Sequence, residues 1–544
     1  MTEEQKTVSI SSTEWETVAG ALRHGVSRRE MLRLLMGSGL AMGSGLTMIS
    51  RATAAETAAN AAATGTPKRG GKIRVAGLNS STSDTLDPAR AGYSTDHVRM
   101  NMFYSGLTQL DGKLNALPAL ATEIHNEGAV VWVFKLRSGV TFHDGRKLVP
   151  ADVVYSLMRH KDPKVASKAK AVAEQIESVT ASGPNEVTIK LTGANVDFPV
   201  IMATTQWKII KDGTIDFTTA NGTGPYKCAE FKPGVRSVSK RNDAYWKPGQ
   251  PYLDEIEFIG IPDESARVNA LLSGDVQLIM LNDARSAKHV TSTPGYQILE
   301  TRGGLYTDFI IKQNVPPGSN RDFTLALKYM QNREQIRNVA YLGHAVIAND
   351  QPVDPTSRYY AAGLPQRPYD LDRARFHLKK SGLADQSFEA FASQAAQGSL
   401  DTGMLMQQSA QQIGMKLAIN RVSPDGYWSN HWAKHPLSFG TINPVPTVDL
   451  LFTQFLRSTS PWNEASWNNP AFDQMLGAAR GELNEAKRKQ IYGDMQALVS
   501  NEGGLGIPVF IGVMDAYSSK LKGLGSIPVG GLMGYAFSEY VWLG

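Results

Sequence analysis

Positions 132–145 have the sequence WVFKLRSGVTFHDG, in which a short alternating segment runs into a turn. Trp132, Phe134 and Leu136 alternate with two other side chains, which is the period-two pattern of a strand with one buried face. The Asp-Gly pair that ends the stretch is a turn signal. Pro150 then opens a predicted helix with apolar pairs four residues apart. A strand, a turn and a helix are therefore expected in succession.

The rest of the chain repeats this alternation of strands and helices. Further strands are predicted at 73–77, 187–191 and 505–513. Helices are predicted at 322–341, 370–380 and 401–413, each beginning with an Asp of the capping type, and Asn484 is predicted to cap a helix that ends at Gly503 and Gly504. We therefore expect an α/β architecture whose first lobe is completed by the C-terminus.

Composition sets the size and excludes some classes of protein. A chain of 544 residues, 42% of them hydrophobic, is long enough for two or more lobes of about 100–200 residues each. The formal net charge of +5 is small for this length and no Lys/Arg run marks a nucleic-acid surface, so a nucleic-acid partner is not expected. The single cysteine, Cys228, excludes an intramolecular disulfide and a cysteine-rich metal site. We interpret it as a small strand residue, the alternative being a reactive thiol.

The first 54 residues have the parts of an export signal. Arg28 and Arg29 form a basic pair, a weakly apolar run at 34–49 is broken by glycines, and a small-x-small exit follows at 52–54. The run is shorter than the roughly 20 apolar residues that a membrane span needs. We predict a cleaved twin-arginine signal at 1–54, a flexible leader at 55–69 and a periplasmic mature protein, with an uncleaved anchor as the alternative. No cysteine lies near the exit, so a lipid anchor there is excluded.

Nine blocks occur in a characteristic order along the mature chain. They lie at 70–75, 84–88, 103–108, 117–121, 132–145, 150–157, 222–226, 241–246 and 261–267. Together they resemble the dipeptide-, oligopeptide- and nickel-binding proteins of ABC importers, which form family 5 of the extracellular solute-binding proteins.

The resemblance implies a fold and an activity. The fold would be α/β, the two-lobed periplasmic binding protein fold of class II, large peptide-binding type, with an extra subdomain in the first lobe. Lobe I would span 70–312 with the subdomain at about 114–190, lobe II 313–504, and 505–544 would return to lobe I. The protein would be a monomer without cofactor or enzymatic activity. It would capture a di- or oligopeptide in the periplasm and deliver it to an ABC transporter permease in the inner membrane.

Other functions remain open from the residues alone. The ligand could be an opine, a sugar conjugate or a metal chelate, because a scaffold does not fix its ligand. A periplasmic hydrolase would need a nucleophile with a base, and neither a Gly-x-Ser-x-Gly elbow nor a His-Glu-x-x-His pair is found. His431 and His435 have helical spacing but no nearby carboxylate or cysteine, so no metal site is predicted. His143 is interpreted as part of a turn that satisfies backbone groups.

The resemblance also points to pocket residues. The candidates are Tyr93, Tyr306, Trp428, Trp432, Asn443, Asp449 and Trp467. Relatives place an acidic residue equivalent to Asp449 against the ligand's amino group; the alternative is a cap on a helix starting at Leu450. Trp428 and Trp432 could supply a stacking wall or belong to a lobe core. Where some relatives carry an arginine this chain has Val445, so a ligand carboxylate would be bound elsewhere or be absent.

Overall fold

The computed structural model of the protein describes residues 66–79 and 81–544. The predicted signal at 1–54 and most of the predicted leader at 55–69 lie outside these residues. Residues 68–543 form one compact unit.

The alternating stretch forms the strand Val131–Leu136, as predicted. Trp132, Phe134 and Leu136 are buried and Lys135 is exposed, because successive side chains of a strand point to opposite faces. This strand belongs to a four-stranded antiparallel sheet. In sheet order its strands are Ala121–Glu127, Val131–Leu136, Glu186–Leu191 and Ile176–Gly183. The apolar faces of these strands and the predicted helix, which begins at Pro150, form a single core.

The first large sheet has seven strands. In sheet order they are Tyr296–Thr301, Val513–Ser518, Leu278–Leu281, Lys72–Gly77, Glu255–Gly260, Arg236–Arg241 and Tyr226–Lys232. Lys72–Gly77 pairs in parallel with both of its neighbours, and the other pairs are antiparallel. A strand from near the C-terminus therefore lies inside this sheet, as the sequence predicts.

The second large sheet is also seven-stranded. Its path runs Ala345–Ile347, Val509–Ile511, Tyr306–Ile311, Leu437–Ile442, Ser387–Ala392 and Lys416–Arg421, and Leu505–Gly506 pairs with Tyr306–Ile311 off this path. The chain passes from the first large sheet to the second at residues 302–305 and returns at Gly512. The lobe boundaries given above stay predictions.

Helices cover the sheets. Those of eight or more residues are Ser94–Phe103, Pro150–Met158, Glu264–Leu272, Ala284–Thr291, Arg321–Tyr329, Arg333–Ala340, Leu371–Lys380, Ser399–Gln412, Val448–Phe455, Pro470–Gly481 and Glu485–Glu502. Shorter helices are Lys170–Ala173, Phe198–Ile201, Tyr427–Asn430 and Gly531–Gly534. Two-stranded ribbons pair Thr108–Leu110 with Ala116–Pro118 and Leu521–Lys522 with Trp542–Leu543.

The structure confirms some of the predicted helix ends and contradicts others. Asp370 and Asn484 cap their helices through their side chains, and Gly503 is the residue at which the second of these ends, as predicted. The single helix predicted at 322–341 is wrong. It is two helices, because the Asn332 side chain accepts a hydrogen bond from the backbone N–H of Gln335 and starts a new helix there. The helix predicted from Asp401 begins at Ser399, so Asp401 lies in its first turn instead of capping it.

His143 connects two turns, which confirms its structural interpretation. Its Nε2 lies 3.1 Å from the carbonyl oxygen of Gly224, and its Nδ1 accepts a hydrogen bond of 3.3 Å from the N–H of Gly222. Burial lowers the pKa of this imidazole to about 4, so it is neutral here. Gly224 is required because a Cβ there would lie 2.6 Å from the backbone nitrogen of Tyr104.

Candidate functional site

A cavity of about 390 Å³ is lined by segments from both large sheets and their helices. One wall is formed by residues 441–446, which continue the strand Leu437–Ile442, and by the helix Val448–Phe455. The opposite wall includes the end of the helix Ser94–Phe103, residues 201–208 and the C-terminal segment 527–540. A cavity of this size between two halves of a protein is where small ligands bind.

Aromatic side chains form much of the cavity wall. Trp462 lines it with 48% of its surface exposed, and its ring meets that of Trp432 edge-on at 5.6 Å. Across the cavity, the half-buried Trp246 donates from Nε1 to Ser105 Oγ at 3.1 Å. The guanidinium of Arg137 covers the Trp246 ring at 4.9 Å. These rings give flat apolar surfaces on which a ligand can stack.

Polar lining residues are mostly uncharged. Asn443 is exposed and Gln454 is half-buried, and each carries an amide that can both donate and accept hydrogen bonds. The charged lining residues are Lys168, Lys208 and Glu539. Glu539 forms an ion pair with Lys247.

His97 also lines the cavity. Burial, with a further contribution from the charge of Lys208, lowers the pKa of its imidazole to about 4, so the ring is neutral at physiological pH. Its Nδ1 lies 3.4 Å from the Oγ1 of Thr205, another lining residue.

Of the seven predicted site residues, Asn443 is the one that lines the cavity. Trp432 does not line it, but its ring supports that of Trp462 from behind. Trp428 packs edge-on against Trp432 at 6.2 Å and is 44% exposed outside the cavity lining. The structure thus brings the predicted tryptophan pair together, one layer away from the cavity surface.

Asp449 lies outside the cavity lining, in an ion pair. Its two oxygens accept from Arg480 Nε at 2.9 and 3.1 Å, and the residue is 1% exposed. Burial raises the pKa of its carboxyl to about 6 although Arg480 lowers it. The alternative of a helix cap is wrong: the N-cap is Thr447, whose side chain accepts from the N–H of Leu450.

The remaining predicted residues are also outside the cavity lining. Tyr306 and Trp467 are buried in the core beneath the second large sheet, where their rings pack against Phe510 and Phe472 respectively. Tyr93 is exposed at the N-cap of the helix Ser94–Phe103. Their contact with ligand stays a prediction.

Several lining residues were not anticipated from the sequence. Trp246 ends the block 241–246, whereas Trp462 lies in none of the nine blocks. Lys208 lies between the buried Trp207 and the buried Ile209. The adjacent Tyr535, Glu539 and Tyr540 form an aromatic and acidic group near the C-terminus. That concentration of ring side chains was the available signal.

His431 and His435 meet each other instead of forming a metal site. Nδ1 of His431 lies 3.1 Å from Nε2 of His435, and the His435 ring stacks on Phe391 with centroids 3.6 Å apart. Over residues 66–79 and 81–544, no group of three or more potential ligands of the His, Cys, Asp and Glu types is assembled for a metal ion.

Residues 115–464 match the model of the bacterial extracellular solute-binding proteins, family 5 middle region. The chain belongs to this family. Curated relatives include the glutathione-binding protein GsiB of Escherichia coli K12, 25% identical over 478 residues that cover 82% of this chain and 90% of the relative. Heme-binding protein A of Haemophilus influenzae is 26% identical over 475 residues, covering 79% and 84%.

A solved relative confirms the predicted fold class. The periplasmic binding protein DppA of Helicobacter pylori, in complex with the peptide STSA, superposes with a TM-score of 0.75 at 22% identity, covering 87% of this chain and 98% of that one. This family member therefore has the two-lobed α/β fold of periplasmic binding proteins of the peptide-binding type. Among its described residues, none of the helices is both long and apolar enough to span a membrane.

Proposed function

We propose that this protein binds a di- or oligopeptide in the cavity of about 390 Å³ and delivers it to the permease of an ABC importer. The cavity carries the proposal. Its volume lies in the range of about 300–1,000 Å³ that small-ligand pockets occupy. Amide groups of Asn443 and Gln454 suit the alternating donors and acceptors of a peptide backbone, and Trp246 and Trp462 suit its apolar side chains.

The family's ligands support the same class. Among the relatives, one is named for glutathione and a solved one holds a peptide, while another is named for heme. The alternatives for this chain are an opine, a sugar conjugate or a metal chelate. Mass spectrometry of the solute that co-purifies with protein made in its own host distinguishes them. A peptide is expected, and a retained solute that contains no peptide would overturn the proposal.

We infer that ligand binding draws two lobes together, each built on one large sheet. Closing a cavity around a ligand removes water and strengthens the polar contacts inside it. Small-angle scattering with saturating peptide should then give a smaller radius of gyration than without peptide. An unchanged radius at saturation would contradict closure.

Capture without chemical conversion is the proposed activity. The imidazole of His97 is a weak base, because its conjugate acid has a pKa of about 4, and its contact with the Thr205 hydroxyl is long at 3.4 Å. Peptide recovered from the protein after prolonged incubation should be intact. Recovery of cleavage products in proportion to time would support a hydrolase instead.

The proposed place of action is the periplasm. The paired arginines, the glycine-broken apolar run and the small-residue exit support export by the twin-arginine route, and family membership supports work outside the cytoplasm. The protein is proposed to act there as a monomer beside the inner-membrane permease.

A further inference from the structure

Lys208 is a buried cation at the cavity surface. It directly follows the turn Thr205–Trp207, and its backbone pairs with that of Gly106. The residue lines the cavity, yet only 7% of its surface is exposed. Lysines are almost never buried to this degree unless their ammonium groups are paired.

The ammonium group of Lys208 has no such partner. Within residues 66–79 and 81–544 it forms neither a hydrogen bond nor an ion pair. The charge of Glu539 stabilises the ammonium in part, but the Glu539 carboxylate pairs with Lys247, which also donates to Gln109 Oε1 at 2.6 Å. Lys208 and Lys247 thus share the single carboxylate of Glu539. One positive charge, that of Lys208 at the cavity, remains uncompensated.

A second buried lysine shows what a structural role looks like in this fold. Lys328 is fully buried, and its Nζ donates to the carbonyl oxygens of Ser500 at 2.9 Å and Val499 at 3.5 Å. Its position is explained by these bonds, since a buried donor without an acceptor is unfavourable. Lys208 has no comparable acceptors, so packing alone does not explain a lysine there.

Burial weakens the charge of Lys208 without removing it. Desolvation lowers the pKa of its ammonium to about 8, while Glu539 opposes the change. The group is therefore protonated at neutral pH. His97, which lines the same part of the cavity, is neutral there and does not repel an anion.

We propose that Lys208 binds a carboxylate of the ligand and that this protein therefore selects acidic solutes. The inference rests on the proposed function, and for a peptide the carboxylate is the C-terminus or an acidic side chain. A carboxylate is the ordinary partner of a lysine ammonium, and its arrival would supply the missing charge and hydrogen bond together. Binding would be directional, because one end of the ligand would be fixed at residues 207–208.

The test uses three mixtures of short peptides with the full-length mature protein: free acids with neutral side chains, the same peptides amidated at the C-terminus, and amidated peptides that carry Glu or Asp. A fourth mixture contains small non-peptide carboxylic acids. Retained molecules are released by denaturation and identified by mass spectrometry, and the retained species are titrated calorimetrically. Lys208→Met removes the charge at similar length, Lys208→Arg keeps it, and Lys240→Met removes an exposed strand lysine outside the cavity.

Lys208→Met should bind the retained acid at least about tenfold more weakly, because one partner of a desolvated charge pair is lost. Lys208→Arg should keep most of the preference for acids, and Lys240→Met should bind like the wild type. Lys208→Met without ligand should melt at or above the wild-type temperature, since an unpaired buried charge has gone; this checks that the variant folds. Retention of the free acids with neutral side chains would indicate the C-terminal carboxylate, and retention of the amidated peptides with Glu or Asp would indicate a side-chain carboxylate.

The outcomes separate the two proposals. Equal retention of free acids and neutral amides would overturn the role of Lys208 and leave peptide binding intact, as would unchanged affinity of folded Lys208→Met for the acid. Retention of non-peptide acids alone, lost in Lys208→Met, would support the role of Lys208 and overturn peptide binding. Retention of nothing from the four mixtures would overturn both.

Discussion

Arg488 and Asp197 form a buried two-pronged ion pair across 291 residues of sequence. Nη1 and Nη2 of Arg488 donate to the two Asp197 oxygens at 3.0 and 2.6 Å, and both side chains are almost fully buried. Asp197 precedes the short helix Phe198–Ile201 beside the four-stranded sheet, whereas Arg488 lies on the helix Glu485–Glu502. The N–H of Val196 donates to the carbonyl oxygen of Arg480 beside it, at 3.0 Å.

Asp197→Asn should lower the free energy of unfolding by about 3–5 kcal/mol, because it leaves the Arg488 guanidinium buried without its counter-charge. Urea denaturation measures this change. Asp243→Asn is the control, since the Asp243–Arg241 pair is exposed on the aspartate side and such pairs contribute about 0–1 kcal/mol. Equal effects of the two substitutions would show that the buried pair is not stabilising.

Glu464→Gln should change how stability depends on pH. Glu464 and Asp308 are both buried, and an oxygen of each lies beside Gly440 without a hydrogen-bond donor, so one carboxyl is expected to carry a proton. Burial raises the pKa of both carboxyls, so the folded protein keeps protons that the unfolded chain releases at about pH 4. The contribution of the pair is therefore full below that pH and is lost as the pH rises through the folded-state pKa values.

From pH 4.5 towards pH 7.5 each proton retained by a buried carboxyl should lower stability by up to about 1.4 kcal/mol per pH unit. Asp515 and Asp449, whose carboxyl pKa values are raised by burial to about 7 and about 6, contribute with the same sign. The imidazoles of His97, His143 and His160, whose pKa values are lowered to about 4 by burial, act with the opposite sign below about pH 6.5. Urea titrations of wild type and Glu464→Gln across this range therefore give the pair's share as a difference. Identical slopes in the two proteins would contradict the retained proton.

Trp462→Ala should weaken peptide binding by about tenfold or more, because a ring that forms the cavity wall would be lost. Trp428→Ala is matched in size and exposure, at 44% against 48%, but lies outside the cavity lining and should have a smaller effect. Calorimetric titration of both variants with the identified ligand measures the difference. A larger loss for Trp428→Ala would place the ligand on the other side of this aromatic cluster.

Asp449→Asn should affect stability more than affinity. Its carboxylate is engaged by Arg480, which is 21% exposed and can be rehydrated in part, so a loss of about 1–2 kcal/mol is expected. Thermal denaturation and ligand titration of the same preparation give both quantities. Tenfold weaker binding at unchanged stability would show that Asp449 contacts the ligand.

Changing Arg28 and Arg29 to Lys should block export, so that uncleaved precursor accumulates in the cytoplasm. Arg33→Lys, outside the pair, is the control and should be exported normally. Fractionation with N-terminal sequencing of the periplasmic protein is the measurement, and the mature chain should begin close to Ala55. Undiminished periplasmic protein in the double variant would contradict the twin-arginine route.

Local patterns in the sequence predicted individual strands and helix caps. The buried positions of Val131–Leu136 follow from alternation within six residues, and the caps Asp370 and Asn484 act on backbone groups three residues away. The site needed information from farther along the chain. Asp449 is bound by a residue 31 positions later because two helices pack together, which no local pattern encodes.

Lys208 is the clearest case of this limit. A lysine in sequence is ordinarily a solvated side chain, and its burial here occurs in a cavity that segments far apart in sequence line together, among them residues 201–208 and 527–540. Trp462 is the converse, because large aromatic side chains are usually largely buried and the fold leaves this one half exposed at the cavity. Both assignments depend on tertiary contacts, which local propensity does not report.

The return of the chain at Gly512 makes the two large sheets differ in what they require from the C-terminus. The strands Tyr306–Ile311 through Val509–Ile511 are consecutive in sequence, so the second large sheet requires no strand that follows residue 511. The first large sheet does, because Val513–Ser518 lies between Leu278–Leu281 and Tyr296–Thr301 and is the sole neighbour of the latter strand in it. A chain truncated before residue 513 would therefore keep every strand of the second large sheet and leave the first with an open edge at Leu278–Leu281.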